Sequence, residues 1–249
     1  VSKDISQLSE KEYRSLEIES FSSIKHILES PQTFIHYKEK PFKGSPATLL
    51  GTSIHHYLQG NKQLVAFQNL PKLKKNEKEN KKFEEDFRKI AGEDGIIVPK
   101  AFEEKLLSIE KNFNENKQAV RLLSQCEFEK PYLFTINGVD LKGKIDGVAP
   151  EYILEIKSSS QATTAEEFKK EALERDYDMQ AYFYTVAASK MHHYFIVVNT
   201  QEPYKVAVYR SSYDFIVSGH SKAVEATSRY KRYIINKEKW DDSEIIEEI

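Results

Sequence analysis

The stretch Tyr132–Ser158, YLFTINGVDLKGKIDGVAPEYILEIKS, decides how the rest of the chain is read. Two alternating apolar runs meet at Asn137-Gly138, the dipeptide that best tolerates the positive φ values of a two-residue hairpin turn. The second run breaks at Gly147 and turns through Ala149-Pro150-Glu151 into a third, Tyr152 to Lys157, so a three-strand meander is predicted. Period-two alternation puts Lys142, Lys144 and Asp146 on one face of the second strand, with Asp146 at the end that the short turn returns to the third. In the third strand Glu155 and Lys157 share a face, opposite Tyr152, Leu154 and Ile156. Asp-Gly at a strand end is common turn chemistry, and a charged strand face usually just meets water. Yet the strand around Glu155 is otherwise strongly apolar, as a central strand is, so its two charges need a reason to be there. An acid ending one strand, with an acid and a lysine on the next, makes a compact place for a hard divalent cation and a polarised water. Magnesium suits it.

Composition sets wide bounds. At 249 residues the chain can bury a sizeable core, and its length suits one domain with a helical elaboration. The expected division is a mainly helical part over 1–128, a catalytic sheet with motif helices over 129–210, a closing helix over 211–236 and an acidic tail over 237–249. Cys126 is the only cysteine, which rules out an intramolecular disulfide or an all-cysteine metal cluster and favours an intracellular, cytoplasmic setting. The amino terminus is polar and no apolar run is long enough to cross a bilayer, so no membrane partner is expected. A net charge of -2 argues against a uniformly basic nucleic-acid binder. The charge is uneven, however, with lysines clustered in Lys72 to Lys82 and acids in Asp241 to Glu248.

Around the meander the pattern is helical. Ser22 is the expected cap of a first helix over 23–29, and Ser30-Pro31 reads as cap and first position of the next. A loop carrying Lys38, Lys40, Lys43 and Gly44 has the charge to serve a phosphate, although a solvated loop has the same composition. In LLGTSIHHYL, residues 49–58, Leu50, Ile54, Tyr57 and Leu58 form a helical stripe with His55 on its edge. The lysine-rich run Lys72 to Lys89 alternates with glutamates, the mark of a solvated helix or of a DNA contact, and Lys74 and Lys75 are candidates for the latter together with Lys43 and Lys144. Helices are predicted over 101–113 and 117–123, ahead of Glu129. Beyond the meander, Thr164 with Glu167 forms a capping box that opens a helix to about Glu174. A helix from about Tyr177 sets Gln180 and Tyr184 one turn apart. Strands over 193–199 and 204–210 and a long helix over 213–235 complete the pattern.

Taken in order, Gly51 to His55, Glu129, Lys144-Ile145-Asp146-Gly147, Leu154-Glu155-Ile156-Lys157 and Gln180 to Tyr184 resemble the PD-(D/E)XK nucleases of the RecB-like branch. The match is closer to the RecE-type exonucleases (exonuclease VIII) of prophage recombination systems, and extends to Ile5-Ser6, Tyr13, Ser30-Pro31 and Leu50-Gly51-Thr52. Each motif alone is weak, and the ordered set is specific. The resemblance implies an α/β fold with a restriction-endonuclease-like PD-(D/E)XK core, a mixed central β-sheet flanked by helices. It implies a metal-dependent exonuclease that degrades one strand of duplex DNA from its 5′ end, forms a homo-oligomeric ring and works with a single-strand annealing protein. Carried over residue by residue, it puts metal ligation on His55, Asp146, Glu155 and the carbonyl of Ile156. It puts the motif lysine at Lys157, an acidic position near the metals at Glu129, and a bordering helix at Gln180 and Tyr184. Two Mg²⁺ ions, replaceable by Mn²⁺, are expected. Ile145 stands where the family's name has proline, a common departure. The alternatives are a single-strand exonuclease or endonuclease of the same superfamily, and a non-catalytic DNA-end or protein-binding module.

Overall fold

The computed structural model describes residues 3–40, 44–68 and 76–240. Lys43, Lys74, Lys75 and the acidic run from Asp241 lie outside them. The amino-terminal part comprises β1 (Lys3–Asp4), α1 (Glu10–Ser15), β2 (Glu19–Ser20), α2 (Phe21–Ile24), α3 (Pro31–Glu39) and α4 (Pro46–Leu58). Then come β3 (Val65–Gln68), α5 (Glu77–Ala91), β4 (Ile96–Pro99), α6 (Phe102–Glu115) and α7 (Lys117–Leu123). The meander is β5 (Glu127–Ile136), β6 (Val139–Val148) and β7 (Tyr152–Ser159). After it come α8 (Ala165–Glu174), α9 (Tyr177–Ala188), β8 (His192–Asn199), β9 (Val206–Arg210) and α10 (Tyr213–Arg229).

The hairpin forms where expected: Asn137 and Gly138 both adopt positive φ, 48° and 74°, and Ile136 pairs with Val139. Ser30 and Thr164 cap their helices, the latter with the reciprocal Glu167 bond. The helix expected over 23–29 is α2, preceded by α1, and it departs from expectation. Ser20 rather than Ser22 caps it, because the Ser23 hydroxyl reaches back to the Ser20 backbone, and the helix tightens into a 3₁₀ turn at Lys25–Leu28. Of the lysine-rich run, the described part forms α5 from Glu77 and lies between β3 and β4, which pair in parallel as a separate two-stranded sheet.

The main sheet has the order β1-β5-β6-β7-β8-β9, with β2 paired to β6. It is mixed: β7 and β8 are parallel, as are β2 and β6, and the remaining neighbours are antiparallel. Helices cover both faces. On one, α4, α6 and α7 pack Ile54, Leu106, Ile109 and Leu122 against Leu154, Ile156, Ile196 and Val198. On the other, α9 and α10 pack Met179, Phe183 and Ala223 against Phe134, Leu141, Ile145 and Ile153. Burying each of the larger side chains stabilises the fold by about 1.5–3 kcal/mol.

Two local features stand apart from this regular packing. β6 and β7 share only two register pairs, Gly147 with Leu154 and Val148 with Ile153, before they part. Further along, β6 takes β2 as its neighbour instead, through Leu141 and Lys142, so residues 143–146 of β6 face an opening in the sheet. The second feature is the approach of α10 to α9 at Gly219, where a Cβ would lie 2.0 Å from the Asp178 carbonyl oxygen. Only a residue without a side chain fits there.

Candidate functional site

The opening between β6 and β7 is where the predicted residues gather. Where the ladder ends, backbone groups lose their partners, and buried ones must find others. Two carboxylates supply them. The Ile156 amide donates to Asp146 Oδ2 at 2.7 Å, and the Asp146 amide donates to Glu155 Oε1 at 3.3 Å. Glu155 is almost completely buried and Asp146 nearly so.

Asp146 looks toward α4. His55 Nδ1 lies 3.7 Å from Asp146 Oδ2, and His55 Nε2 lies 3.1 Å from the Ile156 carbonyl oxygen. An Nε2–H donating to that carbonyl leaves the Nδ1 lone pair facing the carboxylates. Burial holds the imidazole's pKa below its ordinary value, so the neutral ring is favoured. Glu129 closes the group: single ligand atoms of His55, Glu129 and Asp146 all lie within 4.8 Å of one another.

Glu129 stands opposite Asp146 in the β5–β6 register, but the pair is not made, since Glu129 has a φ of 53°. A positive φ at a non-glycine residue costs of order 1–3 kcal/mol and persists only where its surroundings impose it. The Glu129 carboxylate is held by Lys144, 3.1 Å from Oε2, and by Gln59, whose amide donates to Oε1 at 3.1 Å and to the Asp146 carbonyl at 3.4 Å. Gln59 did not stand out in the sequence, although it comes four residues after His55.

Glu155 looks toward α9. Lys157 Nζ donates to Glu155 Oε2 at 3.0 Å and to Gln180 Oε1 at 2.8 Å, and Gln180 Nε2 donates to the Tyr184 hydroxyl at 3.3 Å. Gly143 makes room for Tyr184, whose ring would lie 2.7 Å from a Cβ there. Burial first, and mutual repulsion second, push Glu155 up to about 8; burial, partly offset by Lys157, pushes Asp146 up to about 7. Lys157 also titrates above its ordinary value: burial alone would lower it, but the combined attraction of Glu155, Tyr177 and Asp146 more than offsets that.

His55, Gln59, Glu129, Asp146, Glu155, Lys157, Gln180 and Tyr184 line one groove of about 1000 Å³, together with Lys144, Thr48, Thr52 and Tyr177. A smaller recess of about 360 Å³ adjoins it, lined by Arg14, Ser20, Ser22, Lys142 and Lys144 and sharing Gln180 and Tyr184 with it. Of the candidate DNA contacts, Lys144 is thus in the groove and paired to Glu129.

The donor set suits a divalent cation. It offers carboxylate oxygens, one imidazole lone pair and a backbone carbonyl, the mixture that Mg²⁺ or Mn²⁺ takes. The raised pKa values of Asp146 and Glu155 mark negative charge that the protein alone leaves incompletely balanced.

Comparison with known proteins agrees with this architecture. No curated protein matches the sequence. The chain is similar to a candidate exonuclease from Eubacterium rectale in crystal structure, with a TM-score of 0.62 and 15% identity over 90% of this chain and 86% of that one. A phage-related exonuclease from Haemophilus somnus 129PT is a more distant likeness, with a TM-score of 0.33 and 12% identity over 75% of this chain and 94% of that one. The family described as "PDDEXK-like domain of unknown function (DUF3799)" matches residues 20–249. With that match spanning nearly the whole chain, and with a mixed sheet whose fork carries Asp146, Glu155 and Lys157, the chain belongs to the DUF3799 family of the PD-(D/E)XK nuclease superfamily.

Proposed function

We propose that this chain is a metal-dependent exonuclease of the RecE type, hydrolysing linear double-stranded DNA from 5′ ends and leaving 3′ overhangs for strand annealing. The observation that carries the nuclease reading is the convergence of His55, Glu129, Asp146, Glu155 and Lys157 at the floor of one groove. The preference for duplex ends rests on the ordered motif resemblance. The adjoining recess supports it, since it is lined by Arg14 and the hydroxyls of Ser20 and Ser22, groups that suit a terminal phosphate, while the Lys142 ammonium beside them is bonded to the carbonyls of Tyr13, Arg14 and Leu16.

His55, Asp146, Glu129, Glu155 and the Ile156 carbonyl are the groups that would hold Mg²⁺, as a pair of ions. When bound, Mg²⁺ or Mn²⁺ supplies an activated water and neutralises charge on the phosphate. The chain's own residues do the rest. Lys157, held by Glu155 and Gln180, keeps an ammonium at the groove wall, where it orients water and offsets negative charge developing on the phosphate. Gln59 and Lys144 hold the Glu129 carboxylate towards His55. Tyr184, buried and with its pKa held well above the ordinary phenol value, stays protonated and serves as a neutral hydrogen-bonding wall.

A near-neutral subunit has little means of retaining DNA through many cycles, so a homo-oligomeric ring is part of the proposal, as is an annealing protein that takes up the single strand. The experiment is digestion of end-labelled linear duplex with and without Mg²⁺, beside covalently closed circular duplex. Label should leave 5′ ends first, with Mg²⁺ only, and circles should survive. Cleavage of circles would make the protein an endonuclease, and loss of 3′ label first would reverse the polarity.

A further inference from the structure

We propose that Tyr177 is a positioning residue for Lys157, its ring face forming the third wall of a seat whose other walls are Glu155 and Gln180. The inference rests on the nuclease reading for its consequence, and on geometry alone for the seat. The ammonium lies 4.7 Å from the centroid of the Tyr177 ring, within the range at which the negative face of an aromatic ring attracts a cation. Its other contacts are Glu155 Oε2 at 3.0 Å and Gln180 Oε1 at 2.8 Å.

The three partners are not equivalent. Glu155 belongs to the same strand as Lys157 and draws the ammonium into the sheet. Tyr177 and Gln180 sit one turn apart on α9 and draw it back towards the groove, which both residues line. A ring attracts without offering a lone pair, so the ammonium is held in place while an N–H stays exchangeable for a phosphate oxygen.

Tyr177 also fills space beside Phe195, with ring centroids 6.4 Å apart, and a simple packing role has to be weighed against the proposal. The residues on either side of it argue for more. Asp176 adopts a left-handed φ of 60°, and Lys222 of α10 bonds Asp176 at 2.7 Å, Asp178 at 3.0 Å and the Leu173 carbonyl at 3.0 Å. Ser218 donates to the second Asp178 oxygen at 2.6 Å. The carboxylates on both sides of Tyr177 are therefore tied to α10, which anchors the first turn of α9 that carries the ring. Its hydroxyl makes no hydrogen bond among the described residues, so the ring face is the operative part.

The test compares Tyr177→Leu with Tyr177→Phe. Leucine should lower kcat by about tenfold while KM stays within about twofold, and phenylalanine should rescue kcat to within about twofold of the parent. A second readout needs neither metal nor DNA. In metal-free protein with ¹³C-labelled lysine, the ε-methylene protons of Lys157, assigned by their loss in Lys157→Met, should be shifted upfield by the ring. The shift should persist in Tyr177→Phe and vanish in Tyr177→Leu. A shift unchanged in Tyr177→Leu, a Tyr177→Phe variant as impaired as Tyr177→Leu, or a loss of activity explained by a fall in melting temperature would each overturn the proposal. If the parent protein cleaves no DNA, the nuclease reading fails, and the lysine spectrum still decides whether the seat exists.

Discussion

Asp146 and Glu155 each take the backbone amide that the other's strand leaves unpaired: Ile156 donates to Asp146, and Asp146 donates to Glu155. The candidate ligands therefore also seal the fork of the sheet. The neutral isosteres should separate the two duties. Asp146→Asn and Glu155→Gln keep an acceptor oxygen for the amide but lose ligand charge, so cleavage should be abolished and Mn²⁺ binding weakened in calorimetric titration. Asp146→Asn removes a buried negative charge that has no ammonium bonded to it, so this metal-free variant should melt about 2–4 °C higher than the parent at pH 8, whereas Glu155→Gln also strips Lys157 of its counter-charge and should gain less. Retained Mn²⁺ affinity in both variants would remove these residues from the ligand set.

The same burial gives a pH dependence. Both carboxyl groups titrate higher in the folded protein, about 7 for Asp146 and about 8 for Glu155, than in the unfolded chain, where they stay near 3.8 and 4.5. Between those limits the folded state holds more protons, so metal-free stability is greatest at the acid end of the window and falls as pH rises through it. In EDTA the melting temperature should be about 5 °C or more lower at pH 8.5 than at pH 5.5. The Asp146→Asn, Glu155→Gln double variant should flatten that slope. In the parent, Mn²⁺ binding should release protons, seen as a dependence of the binding heat on the buffer's ionisation enthalpy.

Lys157→Ala tests charge against ligation. Losing one preorganised cation should cost on the order of a hundredfold or more in single-turnover rate. Metal binding should be intact or tighter, because a positive charge beside Glu155 has gone. Loss of metal in this variant alongside its retention in Glu155→Gln would reverse the two assignments.

Gln59→Leu removes both hydrogen bonds that tie α4 to Glu129 and to the Asp146 carbonyl. Partners of this kind, one step behind the ligands, typically matter by 10–100-fold, so Mn²⁺ affinity should fall by at least about tenfold. An unchanged affinity would mean that Glu129 is held by Lys144 alone.

Mg²⁺ and Mn²⁺ should support cleavage and Ca²⁺ should not, since Ca²⁺ prefers looser, higher coordination and polarises water less. Equal rates in Ca²⁺ and Mg²⁺ would count against the mechanism.

The parts that were legible in the sequence are those with local causes. The Asn137-Gly138 hairpin needs only two residues that accept positive φ, and the Thr164–Glu167 box only a hydroxyl and a carboxylate three apart. The motif positions around Asp146, Glu155 and Lys157 come from alternation along two strands joined by a short turn. What stayed hidden is long-range or too short to have a period. β1 and β2 are two residues each, and nothing near them announces that Lys3 pairs with Leu133 or Glu19 with Leu141. The grip of Gln59 and Lys144 on the Glu129 carboxylate depends on where those residues lie in space. Gln59 itself left a faint signal, one helical turn after His55 on the same face. Tyr177 left none, because its ring meets Lys157 only once α9 has docked.

That docking has a genetic consequence. Gly219 lies on α10, outside the groove-lining set, yet a single methyl group there would press on the backbone of Asp178 and Met179. α9 can yield only as a unit, and it carries Tyr177, Gln180 and Tyr184 with it. An unbiased screen for loss of function should therefore recover substitutions at 219 alongside those at Lys157, from clones that still express folded protein. Suppressors of such alleles belong on the opposite side of α9, at large side chains such as Phe183 and Phe134, where trimming gives the helix somewhere to go.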